Sequence, residues 1–202
     1  MTDFLILRHA PTAWNAEHRI QGRTDVPLSA EGLAIAGHWR VPAFAEGWVC
    51  RTSPLVRAVE TAEAMGLSPE PLDGLTEMDW GLLEGRKLAE IRAEGGAAFA
   101  ANEAMGLDFR PAGGESPREV GARALAELRT LAADSVIVTH KGVLRALLAL
   151  AAGWDMKAKA PVKLADGCCH RFCLDAGGTL TLVEAGIPLA APAGSPYPGR
   201  DR

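Results

Sequence analysis

Three short apolar runs constrain the fold of this chain more than any other feature. Residues 4–7 (FLIL), 48–51 (WVCR) and 135–139 (SVIVT) are too short for core helices, and the first and third are apolar on both sides. That pattern fits strands buried on both faces of a sheet. Each is followed by a helix-like segment or a polar loop. Ser29 precedes AEGLAIAGHW, and Ser53 precedes Pro54 and LVRAVETAEAM, with proline at the first helical position. Ser116-Pro117-Arg118-Glu119 reads as a capping box opening a helix through about Ala133, and 141–152 is helical directly after the third strand.

This alternation predicts an α/β fold: a three-layer sandwich with a mostly parallel central sheet and helices on both faces. Residues 167–184 read as a hairpin turning at Asp175-Ala-Gly-Gly, which would supply one antiparallel edge strand. Alanine-rich pieces in 81–111, broken at Gly95-Gly96 and Gly106, read as a small helical cap inserted at about 78–112. One domain is expected over 1–185. The stretch 186–202, rich in Pro, Ala and Gly, reads as a flexible C-terminal tail.

The chain has 202 residues, 48% of them hydrophobic, enough for a sizeable core. A net charge of -4 and the lack of a basic run argue against a nucleic-acid partner. The longest apolar run, 146–152, is about a third of the roughly 20 residues a membrane span needs. MTDFLILRHA lacks the basic start of a signal peptide. None of the four cysteines sits in a CxxC pair, so free thiols in a reducing compartment, and a cytoplasmic location, are expected. No carboxylate cluster suits magnesium, so neither metal nor cofactor is expected. A homodimer through the sheet edge is compatible with the sequence, though nothing in it requires one.

In open α/β sheets, ligands bind beyond the carboxyl ends of the strands. Arg8-His9, the segment 53–57 with Arg57, and His140 all fall there on this reading. Taken singly, each has a plainer explanation: an incidental Arg-His pair, a solvated helix arginine, a satisfied core histidine. Together they make a cationic crevice rich in forked donors, suited to phosphate. His18, His38 and His170 have no motif around them.

At these residues the chain resembles the histidine phosphatase superfamily, the phosphoglycerate-mutase-like proteins. LRHAPTAWN (7–15), QGRTDVPLSAEG (21–32), SPLVRAVETA (53–62), LTEMDWGLLEG (75–85), GGES (113–116) and VTHKGVLRALL (138–148) occur in that family's order. The chain is short for the family's metabolic mutases, which carry extra segments, and looks closer to its compact phosphatase branch. The resemblance implies that His9 attacks phosphorus and becomes a phosphohistidine. Arg8, Arg57 and His140 would hold the phosphoryl oxygens, with Asn15 adding a side-chain donor and the backbone after His140 another. Glu77 would give a proton to the leaving oxygen and then serve as base for water. Gln21 and Gly22 are candidates for the entrance. Glu60 and Thr61 are expected to lock the Arg57 helix, and Trp14 and Trp80 to pack in the core or a lid.

Two positions depart from the family pattern: Ala10, where glycine is usual, and Lys141, where a small residue is commoner. Alanine is tolerated unless positive φ is needed. Lys141 would hold a second acidic group if it faces the crevice and is only a helix residue if it points outward, the reading slightly favoured. The expected activity is metal-independent hydrolysis of a small phosphomonoester. The alternatives are a phosphoglycerate-mutase-type phosphotransferase and a non-catalytic phosphate-binding module.

Overall fold

A computed structural model describes residues 1–189. In chain order the elements are β1 (Thr2–Arg8), α1 (Ala13–Ala16), α2 (Ala30–His38), β2 (Val49–Thr52), α3 (Val56–Ala64), β3 (Pro69–Pro71), α4 (Leu88–Glu103), α5 (Pro117–Leu128), β4 (Ser135–Thr139), α6 (Lys141–Ala152), β5 (Cys168–Leu174) and β6 (Leu180–Pro188). The six strands form one sheet in the order β3-β2-β4-β1-β5-β6. The first four in that order run parallel. The antiparallel element is a two-stranded ribbon: β5 runs against β1, and β6 pairs antiparallel with β5 at the edge.

The layers follow from the period of a strand, which sends alternate side chains to opposite faces. Phe4 and Ile6 of β1 and Ile137 of β4 join Val120, Ala124 and Leu128 of α5 and Val143, Leu144 and Leu147 of α6. Leu5 and Leu7 of β1 and Val136 and Val138 of β4 join Ala36 of α2 and Ala58 and Ala62 of α3. Both sides of the central strands are therefore covered, which is why their sequences are apolar throughout.

Several boundaries differ from those read in the sequence, each for a local reason. Helix α3 starts at Val56 rather than Pro54, because the Ser53 hydroxyl accepts from Leu55 N (3.2 Å) before the helix begins. Its cap comes from outside: Asp25 Oδ1 accepts from Val56 N at 2.8 Å. Helix α5 opens on the expected capping box, Ser116 with Glu119, but ends at Leu128, five residues before the expected Ala133. There the Thr130 hydroxyl and amide both turn back to the Glu127 carbonyl. In α4 the expected glycine break is a kink at Gly96, whose φ is 50° and ψ -138°. The stretch expected to be a tail is ordered at its start: 186–188 belong to β6 and Leu189 is buried. The remainder of that stretch, from 190 on, lies outside the described residues. Among the described residues, no helix is long and apolar enough to cross a membrane.

The packing makes a quantitative prediction. Ile6 is fully buried in the central strand, so Ile6→Ala should cost about 3 kcal/mol of unfolding free energy. Leu82, 78% exposed, should change it by less than about 0.5 kcal/mol when replaced by alanine. Urea denaturation of the two variants checks both, and equal effects would contradict the layer assignment.

Candidate active site

Because β1, β2 and β4 are parallel, their carboxyl ends meet at one edge of the sheet. The ladder continues for one residue past the strands: His9 N donates to Thr139 O (2.9 Å) and Ser53 N to Val138 O (3.0 Å). This brings Arg8, His9 and Arg57 of α3 together at a cavity of about 730 Å³, which His140 does not line. Arg8, His9, Arg57 and Glu77 line it, and so do Asn15, Gln21, Gly22 and Lys141. His140 sits behind His9, fully buried, with the ring centroids 5.2 Å apart.

His9 is oriented by its neighbour. Its Nδ1 lies 2.7 Å from the Ala10 carbonyl, so Nδ1 carries the proton and donates. The lone pair is then on Nε2, the ring nitrogen left for the cavity. Burial, followed by the charges of Arg8 and Arg57, holds the His9 pKa well below its ordinary 6.5. Ala10 is fully buried and does not have positive φ, so alanine serves where the resemblance has glycine. Its amide donates to the Thr61 hydroxyl at 3.0 Å.

Arg57 is fully buried. Its two terminal nitrogens donate to backbone carbonyls, Nη2 to Gly22 (2.7 Å) and Nη1 to Thr24 (3.0 Å). Those carbonyls belong to a loop that Glu84 grips, accepting from Arg23 N, Thr24 N and the Thr24 hydroxyl. Gly22 has φ of +55°, and a Cβ there would stand 1.9 Å from Glu84 Oε1. Gly22 is thus required by the turn that feeds Arg57. Helix α3 is further tied by Glu60, which accepts from Leu28 N, and by Thr61, whose hydroxyl accepts from Ala10 N.

Arg8 Nε, Arg57 Nε and both ring nitrogens of His140 are buried without a hydrogen-bond partner among the described residues. An unmet buried polar group costs about 1–3 kcal/mol, so the region beside His9 carries a concentration of unmet polar atoms. Burial, together with Arg57, His9 and Arg8, keeps His140 neutral as well. Asn15 faces the cavity with its amide already half used: Oδ1 accepts from Thr12 N and the Thr12 hydroxyl, leaving the NH₂ end free to donate.

Glu77 is the carboxyl of the site. Oε1 accepts from Met78 N (2.8 Å) and Oε2 from Gly142 N (3.2 Å). Burial raises its pKa above the ordinary 4.5, outweighing those two amides and the charges of Arg57 and Arg8. A Cβ on Gly142 would come within 2.3 Å of Glu77 Oε1, so a larger residue there would displace the carboxyl. The amide after Lys141 therefore serves Glu77. The loop carrying Glu77 is braced by Arg123, which donates to the carbonyls of Gly74 and Glu77 and pairs with Glu115. Glu115 of the GGES segment also accepts from Asp79 N.

Lys141, an exposed residue at the start of α6, lines the cavity margin. Trp80 lines the cavity as well as packing on Phe109, with centroids 5.7 Å apart. Reading the sequence missed several wall residues, among them Arg19, Leu88, Arg92, Glu103, Arg145 and Met156. Only Arg145 left a signal, standing four residues after Lys141 on the same helix. Among the described residues, no group of three or more His, Cys, Asp or Glu side chains could hold a metal ion.

Fold and site together define an α/β protein with a crevice lined by arginines and a buried histidine at the carboxyl edge of its sheet. The family model of the histidine phosphatase superfamily (branch 1) matches residues 4–185, and the chain belongs to that family. The chain is 35% identical over 161 residues to a 2,3-bisphosphoglycerate-dependent phosphoglycerate mutase of Methylobacterium radiotolerans, covering 71% of this chain and 76% of that one. It is 32% identical over 162 residues to a metal-independent phosphoserine phosphatase of Arabidopsis thaliana, covering 73% and 67%. The solved structure of Bacillus stearothermophilus YhfR superposes with a TM-score of 0.79 at 28% identity, covering 93% of this chain and 98% of that one.

The depressed histidines and the raised carboxyl have opposite effects on stability. His9 and His140 bind protons more weakly folded than unfolded, so their contribution is present above pH 6.5 and is lost as pH falls below it. Glu77 binds its proton more tightly folded, so its contribution is present below 4.5 and is lost as pH rises through its folded pKa. Unfolding free energy should therefore fall on acidification below 6.5, and His9→Gln should flatten that fall. An identical slope in the variant would mean that folding does not hold His9 neutral. In a carboxyl NMR titration, Glu77 should titrate above 4.5, while Glu119, held by Arg110 and the Ser116 amide, should titrate at about 2.

Proposed function

We propose that this protein hydrolyses small phosphomonoesters through a phosphohistidine at His9. The observation that carries this reading is the Ala10 carbonyl's grip on His9 Nδ1 beside buried, unpartnered donors on Arg8, Arg57 and His140. A neutral imidazole with its lone pair at Nε2 is a nucleophile near neutral pH. The Nε2 lone pair forms the N–P bond as the ester P–O bond breaks. The protonated Glu77 gives its proton to the departing oxygen, which leaves as an alcohol. Water then attacks phosphorus and loses a proton to the Glu77 carboxylate. The P–N electrons return to His9, and phosphate is released.

The guanidiniums and His140 stabilise the charge on the transferring group, the dominant contribution in phosphoryl transfer. Glu77 needs a raised pKa to serve first as acid and then as base, and its burial provides one. The name of the Arabidopsis relative supports hydrolysis. The identity to the Methylobacterium mutase supports a second reading, transfer of the phosphoryl group back to a phosphoglycerate. Interconversion of 2- and 3-phosphoglycerate faster than phosphate release, after priming with the bisphosphate, would decide for that reading.

The first test is p-nitrophenyl phosphate hydrolysis with EDTA present throughout. Wild type should turn over and His9→Ala should not; a variant retaining most of the rate would sink the nucleophile. Arg57→Ala should lose two or more orders of magnitude in kcat/KM, about 3 kcal/mol of transition-state stabilisation. Glu77→Gln should slow an alkyl phosphate far more than p-nitrophenyl phosphate, whose leaving group needs no proton. Equal losses on both substrates would remove Glu77 from the acid role.

A further inference from the structure

Beside the main cavity lies a second of about 460 Å³, and Lys141 and Arg145 line both. These residues stand one turn apart on the same face of α6. The groove's other side is formed by 158–164, which contributes Lys159 and Lys163, and no aspartate or glutamate lines it.

The four cations differ from several of the chain's arginines, which are neutralised by carboxylates. Arg19 is paired with Glu17, Arg86 with Glu94, Arg92 with Glu103 and Arg118 with Asp108. Lys141, Arg145, Lys159 and Lys163 have no ion pair or hydrogen bond from their side chains among the described residues. On a chain of net charge -4, four unpaired cations around one groove form a local positive field. Arg145 is half-buried, and its guanidinium lies 5.0 Å over the ring of Trp154. Trp154 in turn donates from Nε1 to Ala158 O at 3.0 Å, fixing the start of the opposite wall. The indole face is covered by Arg145 and the ring is only 8% exposed, so it offers no platform for stacking a nucleobase. What the groove presents is charge.

We propose that this groove is a second anion subsite, receiving a phosphate or diphosphate group carried on the leaving group of the phosphomonoester bound at His9. The proposal rests on the proposed function for its direction, because α6 begins at His140 and leads from the reacting centre into the groove. Four cations without a carboxylate match a multiply charged anion better than a single carboxylate. Preferred substrates would then bear a second phosphate or diphosphate at the far end.

The test is calorimetric titration of full-length His9→Ala protein, which cannot be phosphorylated at position 9, with inorganic tripolyphosphate and with orthophosphate. Lys159→Ala/Lys163→Ala added to that background should lower the ratio of tripolyphosphate to orthophosphate affinity at least tenfold. Lys157→Ala, which removes a charge from the same loop outside both cavities, should leave the ratio within twofold. An unchanged ratio in the double variant, or an equal fall with Lys157→Ala, would overturn the subsite. Wild-type hydrolysis of p-nitrophenyl phosphate is measured alongside. Its absence with the ratio still dependent on Lys159 and Lys163 would strike the proposed function and leave the anion groove standing.

Discussion

The guanidinium of Arg57 is enclosed by protein and bonded to two backbone carbonyls, with no carboxylate in direct contact. Burying a charge this way costs several kcal/mol unless its surroundings compensate. Burial lowers its pKa, while the more distant charges of Glu77 and Asp25 act in the opposite sense. Much of the surrounding structure serves to hold this cation. Glu84 shapes the loop that offers the carbonyls, Asp25 caps the helix that carries Arg57, and Glu60 and Thr61 tie that helix to the β1 side of the site. A bound phosphoryl group would supply the missing counter-charge, so the same arrangement that strains the free protein favours an anionic ligand.

The site separates its roles through burial acting on groups of opposite charge type. Desolvation disfavours the charged form of every group. It therefore favours neutral His9 and His140 and shifts Glu77 towards its protonated form within one crevice. The arginines reinforce this effect at the histidines and oppose it at Glu77, where burial prevails. The same burial thus favours the uncharged form of the histidines and of the carboxyl side by side.

Local sequence was most informative where local physics decides. Ser135–Thr139 and Lys141–Ala152 were legible because an apolar run and an amphipathic helix each bury what their periods predict. Ser116 with Glu119 was legible because a capping box closes within four residues. Strand β3 was not: two prolines in three residues contradict strand propensity, and the strand exists because it pairs on one side only, with β2. The start of α3 was misplaced because its cap comes from Asp25, a partner no local window contains. Glu77 would read from its neighbours alone as a surface carboxylate; the amides of Met78 and Gly142 and the brace of Arg123 and Glu115 give it its environment.

By itself the sequence determined the α/β alternation, the family, and the convergence of Arg8, His9, Arg57 and His140 at the strand ends. Each of these depends on residues within a few positions of one another or on the parallel order of strands. Only the tertiary structure decided the tautomer of His9, the burial of Glu77 and the cationic groove that Lys141 shares with Arg145, Lys159 and Lys163. Those depend on desolvation and on fields summed over segments distant in the chain, and neither quantity exists until the chain has folded.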